Sequence, residues 1–88
     1  MLRKRVVVSG RVQGVFFRDG CRRAARSHEV AGWVTNRDDG SVEAVFEGDE
    51  TAVGAMIEWV RCGPSQAIVT DVDVTDERPE GLTGFSVR

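Results

Sequence analysis

The feature that most constrains the fold is a repeated change in the spacing of apolar residues along the chain. In Lys4–Arg11 polar and apolar residues mostly alternate, which is the period of a strand with one buried face. In the segment from residue 17 to residue 28 the spacing lengthens to that of a helix. The helical stripe consists of Phe17, Cys21, Ala24 and His28. A chain that switches between these periods is expected to pack helices against a sheet.

Two further strands follow the first helix. Val30–Asn36 and Ser41–Glu47 alternate again, and the Asp39-Gly40 pair between them is a strong signal for a tight hairpin turn. In the second of these strands one set of residues is apolar and the other is mostly polar. We therefore expect Val42, Ala44 and Phe46 to be packed, and Ser41, Glu43, Val45 and Glu47 to face solvent.

The helical period then returns once, between two turn signals. Asp49 is a natural N-cap for a second helix, which runs to about Arg61 and is ended by Gly63-Pro64. Ala67–Thr75 alternates again, with Ile68, Val72 and Val74 expected on one face. A short closing strand carries Phe85 and Val87.

This order of elements predicts an α+β, ferredoxin-like fold of the split βαββαβ type. Two helices lie on one face of an antiparallel sheet, and the other face is wet, which explains why the strands alternate. Eighty-eight residues suffice for one modest core, so residues 1–88 are predicted to form a single domain.

Composition excludes several classes of protein. No apolar run approaches the roughly 18 residues of a membrane span. The basic start Met1–Arg5 is followed only by Val6–Val8, which is much shorter than the apolar core of an export signal, so we expect a cytoplasmic protein. Cys21 and Cys62 are too few and too far apart for a zinc site or a redox pair, and we expect both thiols to be buried and reduced.

The charge is unevenly distributed along the chain. Residues 1–44 carry nine Lys or Arg against five Asp or Glu, whereas residues 45–88 carry three against nine. A basic first half could attract an anionic ligand, although two differently charged solvated faces would give the same count. The pI near 5.3 argues against a nucleic-acid-binding domain.

The most unusual stretch, Gly10–Arg18, joins the first strand to the first helix. Gly14 allows a tight turn, and the amides that follow lead into a helix N-terminus, where N–H groups lack internal partners and can bind an anion. Arg18 in the first helical turn is explained if it shares that anion. The residues alone fit a simple glycine turn with a surface arginine equally well.

Gly10–Arg18 also resembles the signature loop of the acylphosphatases. Residues 32–36, Gly-Trp-Val-Thr-Asn, with Gly40-Ser41-Val42 and Gly48, are similar to the second signature of that family. The resemblance extends over essentially the whole chain, including Gly63-Pro64 and the closing residues 84–87. It implies a ferredoxin-like fold and hydrolysis of acyl phosphates to a carboxylate and inorganic phosphate, without a metal or other cofactor.

The resemblance also implies the roles of individual residues. Arg18 corresponds to the phosphate-binding arginine, and Asn36 to the residue that holds the attacking water. The amides expected to wrap the phosphate are those of Gly14, Val15, Phe16, Phe17 and Arg18. Taken by itself, Asn36 before a tight turn is more typical of a turn residue. The implied partners are a small acyl phosphate and inorganic phosphate, with no nucleic acid and no membrane, and we expect a monomer.

Two residues stand apart from this interpretation. Glu29 occupies a helix end where the family usually has glycine, and a left-handed cap without glycine costs about 1 kcal/mol unless the helix ends differently. His28 is the single histidine, but it lies about three turns from the loop, so packing or capping is expected rather than base catalysis.

A non-catalytic ferredoxin-like module is the alternative class. An RNA-binding version is disfavoured by the acidic open face and the missing RNA-recognition signature, and a copper carrier would need a paired-cysteine loop. A domain that binds a phosphate group without hydrolysing it is also compatible with the sequence.

Overall fold

Five strands and two helices follow one another in a computed structural model that describes residues 1–88. They are β1 (Leu2–Arg11), α1 (Phe17–Ser27), β2 (Ala31–Asn36), β3 (Val42–Gly48), α2 (Glu50–Cys62), β4 (Ile68–Glu77) and β5 (Phe85–Val87). The predicted order and the ferredoxin-like fold are confirmed. Neither helix combines the length and the apolar character that crossing a membrane requires.

The strands form one sheet in the order β4-β1-β3-β2-β5. The four longer strands pair antiparallel, as predicted, but β5 runs parallel to β2, so the sheet is mixed at this edge. The direction of β5 follows from its connection. Residues 78–84 cross directly from the end of β4 to the opposite edge, so β5 runs opposite to β4 and in the direction of β2.

The core lies between the sheet and the two helices. It contains Val6, Val8, Val34, Val42, Ala44 and Phe46 from the sheet, and Phe17, Cys21, Ala25, Val53, Met56 and Val60 from the helices. The stripe predicted for α1 is partly wrong, because Ala25 is fully buried while Ala24 is only partly buried and His28 is exposed. Gly20 allows the two helices to approach, since a Cβ atom there would lie 2.9 Å from the Trp59 ring.

Helix α1 ends in a left-handed turn although glycine is absent. Glu29 has a φ of 58°, and the two amides beyond the helix bond back to it, Val30 N to Ala25 O at 2.8 Å and Glu29 N to Arg26 O at 3.2 Å. This pair of bonds is a Schellman motif. The left-handed conformation of a residue with a Cβ costs about 1–2 kcal/mol. Of the two helix ends considered from the sequence, the left-handed one at Glu29 is present, and His28 contributes its backbone N–H to the cap.

The face assigned to Ile68 is wrong. Its side chain is exposed, whereas Val69 packs against the core together with Val72 and Val74. The cause is a β-bulge, since Ser9 pairs with Asp71 but Gly10 pairs with Val69. The extra residue reverses the alternation on one side of the bulge.

On the sheet face opposite the helices, several side chains that the alternation predicts to be in solvent are buried. Val45 and Glu47 are buried, and so is Arg3, whose guanidinium Nη1 lies 3.2 Å from Glu47 Oε2. The Glu47 carboxylate accepts bonds from the amides of residues 80, 81 and 82 at 3.1, 2.6 and 3.1 Å. Burial alone would raise the pKa of Glu47, but these amides and Arg3 outweigh it and hold the pKa below its usual value. Glu47 therefore fastens the β4–β5 connection across the end of the sheet.

Replacing this carboxylate should destabilise the fold. We expect Glu47→Gln to lower the free energy of unfolding by about 3 kcal/mol, because Arg3 and the connecting amides lose a buried charged partner. Glu58→Gln is the matched control, since Glu58 is exposed on α2. Urea unfolding measures both.

The same carboxylate predicts acid sensitivity. The lowered pKa means that the unfolded chain takes up the proton first as the pH falls below the ordinary value of 4.5, so the contribution is complete above that pH and is lost on passing below the lowered pKa. Glu47→Gln should show a shallower loss of stability in acid than the parent protein. Equal stability of Glu47→Gln and Glu58→Gln would contradict the assignment.

Candidate active site

The sheet topology brings the Gly10–Arg18 loop and Asn36 to the same edge. Strands β1 and β2 run in the same direction, with β3 between them. Val42 at the start of β3 pairs with Val8 on one side and with Asn36 on the other. The segment that follows β1 and the last residue of β2 therefore lie at neighbouring ends of the sheet, although they are far apart along the chain.

The loop has the backbone geometry of an anion receptor. Gly14 and Phe16 have positive φ angles of 74° and 64°, and Val15 between them does not. This alternation of hand points successive amides toward one side. None of the backbone N–H groups of residues 14–19 donates a hydrogen bond to a protein atom. The loop thus presents a row of free donors at the N-terminus of α1, where the helix dipole favours negative charge.

Buried side chains hold this loop in place. Val12, Val15 and Phe17 are each no more than 2% exposed and belong to the core cluster. The Phe17 ring also packs edge-on against Trp59, with the ring centroids 5.3 Å apart. Gly14 and Phe16 lie between these anchors on the exposed side. The free amides are therefore carried by a loop that the core makes rigid.

Arg18 leaves the loop at the start of α1 with its charge uncompensated by any side chain. No Asp or Glu pairs with it, and its one polar contact is from Nη1 to the main-chain oxygen of Arg88 at 3.4 Å. One turn further on, Arg22 Nη2 contacts Asp19 Oδ1 at 2.7 Å, and Asp19 also pairs with Arg23. The positive charge in this part of the site is thus greater than the single carboxylate can balance.

Asn36 contributes a polar atom that has no protein partner. Its Oδ1 is buried and accepts no hydrogen bond within the chain. Such atoms are rare in folded proteins and need an explanation. A carboxamide oxygen accepts hydrogen bonds only, so it suits a ligand or water that donates one.

These groups line one cavity of about 420 Å³. Of the residues predicted for the site, the cavity brings together Gly14, Phe16, Phe17, Arg18 and Asn36. Val15 differs, because its side chain is in the core and only its backbone remains for the site. The sequence interpretation missed Val12, Asp19, Arg22 and Val87, which also line the cavity. Arg22 was assigned to solvent, because the period of a helix does not reveal which loop lies beside it.

Gln13 lies within the predicted loop, but the sequence did not predict its contacts. Its Nε2 donates to the carbonyl oxygens of Arg37 at 2.8 Å and of Ser41 at 2.9 Å. These carbonyls belong to the turn that follows Asn36. Gln13 therefore connects the Gly10–Arg18 loop to the β2–β3 turn. No sequence signal reveals contacts between residues that are 24 and 28 positions apart.

The β2–β3 turn is itself rigid. The Asp39 carboxylate accepts bonds from the Ser41 amide at 2.9 Å and from the Ser41 hydroxyl at 2.5 Å. These bonds, above all the one from the hydroxyl, hold the pKa of Asp39 below its usual value. The Arg37 amide closes the turn on the Ser41 carbonyl at 2.8 Å. Asn36 thus precedes a turn that is closed by its own hydrogen bonds.

Other titratable candidates lie outside this arrangement. His28 is exposed at the far end of α1 and does not line the cavity. Both cysteines are free, but only Cys21 is buried as expected, whereas Cys62 is exposed. Burial raises the pKa of Cys21 to about 12, so that thiol stays protonated at neutral pH. No three or more His, Cys, Asp or Glu side chains are grouped so that they could hold a metal ion.

Fold and cavity together define a ferredoxin-like protein with an anion-receptive loop beside an arginine and a buried carboxamide. A family model described as Acylphosphatase matches residues 4–87. An acylphosphatase from Haloquadratum walsbyi is 56% identical over 86 residues, which are 98% of this chain and 92% of that protein. The chain therefore belongs to the acylphosphatase family and is a hydrolase.

Solved structures agree with this assignment. The crystal structure of acylphosphatase from Bacillus subtilis matches with a TM-score of 0.96 and 46% identity, covering 100% of this chain and 99% of that one. The structure of an acylphosphatase from Coxiella burnetii matches with a TM-score of 0.95 and 39% identity, covering 99% and 92%.

The link made by Gln13 is testable by stability. We expect Gln13→Ala to lower the free energy of unfolding by about 2 kcal/mol, since two hydrogen bonds of about 1 kcal/mol each are lost. Gln66→Ala is the matched control, because Gln66 is exposed and its side chain forms no hydrogen bond. Urea unfolding of both variants measures the difference, and equal midpoints would show that the bridge is not stabilising.

Proposed function

We propose that this cavity hydrolyses acyl phosphates, releasing a carboxylate and inorganic phosphate. The observation that carries the proposal is the meeting of three kinds of group in one cavity: the free amides of residues 14–19, the Arg18 guanidinium, which has no acidic partner, and the buried, unpartnered Asn36 Oδ1. The first two suit a phosphoryl group, and the third suits a water. Hydrolysis of a phosphate ester or anhydride needs both.

The loop amides and Arg18 bind the phosphoryl oxygens. The amides of Gly14, Val15, Phe16, Phe17 and Arg18 donate hydrogen bonds to them, and the Arg18 guanidinium binds two of them at once. Phosphoryl transfer depends mainly on positioning and on stabilising charge over the equatorial oxygens. A loop made rigid by its buried side chains supplies donors that need not reorganise during the reaction.

Asn36 orients the nucleophile. A water donates one hydrogen to Asn36 Oδ1 and directs a lone pair of its oxygen at phosphorus, opposite the leaving oxygen. As the new P–O bond forms, the bond from phosphorus to the acyl oxygen breaks and its electron pair leaves with the carboxylate. The proton of the water passes to a phosphoryl oxygen, because a carboxamide does not accept a proton at neutral pH.

The leaving group needs no acid catalyst. The leaving group is the conjugate base of a carboxylic acid whose pKa is near 4, so it departs as the unprotonated carboxylate at neutral pH. All groups in this scheme come from one chain, so the reaction requires no second subunit.

The activity itself is tested by hydrolysis of benzoyl phosphate. We expect turnover by the purified protein and no loss of rate in excess EDTA, because hydrogen bonds from the amides and the positive charge of Arg18 supply the stabilisation that a metal would otherwise provide. Release of inorganic phosphate measures the rate. Binding of phosphate without any turnover would support a phosphate-binding module, and inhibition by EDTA would contradict the metal-independent scheme.

Two variants separate binding from water activation. Arg18→Ala should lose about 10³-fold in turnover and also lose affinity for inorganic phosphate, because the guanidinium contacts the anion. Asn36→Ala should lose about 10²-fold in turnover and keep most of that affinity, because Asn36 contacts the water.

Steady-state rates and inhibition by phosphate provide both readouts. Arg61→Ala and Asp38→Ala are the controls, since each removes an exposed side chain that lies outside the cavity. Near-normal turnover by Asn36→Ala would remove the water-holding role.

A further inference from the structure

Phe16 combines two unfavourable features in one residue. Its side chain is 77% exposed, and its backbone is left-handed, with φ 64° and ψ 26°. An exposed aromatic side chain loses the benefit of burial, and a residue with a Cβ pays a conformational cost in this region. The fold gains nothing visible from the ring, since it forms no aromatic contact and lies outside the core cluster.

The loop geometry explains the backbone of Phe16 but leaves its side chain unexplained. A positive φ at this position turns the amides toward the anion site, and glycine would provide it at lower cost. A functional requirement for the ring is the remaining physical reason for a phenylalanine. Strained residues of this kind cluster at ligand sites.

The neighbourhood of the ring indicates what it binds. Phe16 and Val87 both line the cavity that contains Arg18 and Asn36. The chain has four large exposed hydrophobic residues, and these two lie at this cavity, whereas Met1 and Ile68 do not. Exposed apolar surface beside a polar binding site commonly contacts the apolar part of a ligand.

We infer that Phe16 and Val87 form an acyl subsite that favours aromatic or bulky aliphatic acyl groups. The inference rests on the proposed function: once the loop holds the phosphoryl group, the acyl group extends from it toward the cavity mouth. Phe16 lines the same cavity as Arg18, so its side chain borders the space into which the acyl group would extend.

The test is the ratio of kcat/KM for benzoyl phosphate to that for acetyl phosphate. Both substrates carry the same phosphoryl group, so effects on the loop itself cancel in the ratio. Phe16→Ala should lower the ratio about tenfold, the range expected for loss of apolar contact in a pocket. Phe16→Leu keeps an apolar side chain, so its ratio should be close to that of the parent protein. Val87→Ala should lower the ratio less than Phe16→Ala does.

Ile68→Ala is the matched control, because Ile68 is 59% exposed and lies on the edge strand β4, away from the cavity. Its ratio should equal that of the parent protein. An unchanged ratio in Phe16→Ala, with both substrates still hydrolysed, overturns the acyl subsite alone. If the parent protein hydrolyses neither substrate, the proposed function fails and the subsite falls with it.

Discussion

The position of β3 between β1 and β2 is the constraint on which the rest of the site depends. Val42 pairs with Val8 on one side and with Asn36 on the other. A slip of one residue would turn the buried side chains of β3 toward solvent, so the core enforces this register. The same register places the Gly10–Arg18 loop, which follows β1, beside Asn36 at the end of β2.

Within the Gly10–Arg18 loop some residues anchor the backbone, and their neighbours leave their amides free. Val12, Val15 and Phe17 are buried and fasten the backbone, while the amides of residues 14–19 remain without protein acceptors. Gln13 adds a lateral fastening to the β2–β3 turn, whose own geometry is maintained by Asp39. A loop with free donors would ordinarily be mobile, and these anchors hold the free amides in one arrangement.

The spacing of apolar residues predicted the order of helices and strands. It gave the wrong burial for individual side chains where a bulge, a helix end or an ion pair interrupts the regular alternation. The β-bulge at Ser9–Gly10 reversed the face of Ile68, and the early end of α1 left His28 exposed. Glu47 was expected in solvent because it alternates with apolar residues. It is buried because Arg3 and the β4–β5 connection satisfy its charge, and neither partner is visible from the local pattern.

The sequence by itself determined the change of period, the Asp39-Gly40 turn and the glycine loop before Arg18, because each depends on residues close together in the chain. Tertiary structure decided that Asn36 Oδ1 is buried without a partner, that Gln13 reaches the Ser41 carbonyl, and that Arg22 faces the cavity. Each of these depends on strand register and helix packing. Those are set by the summed burial of the core, which no local segment contains.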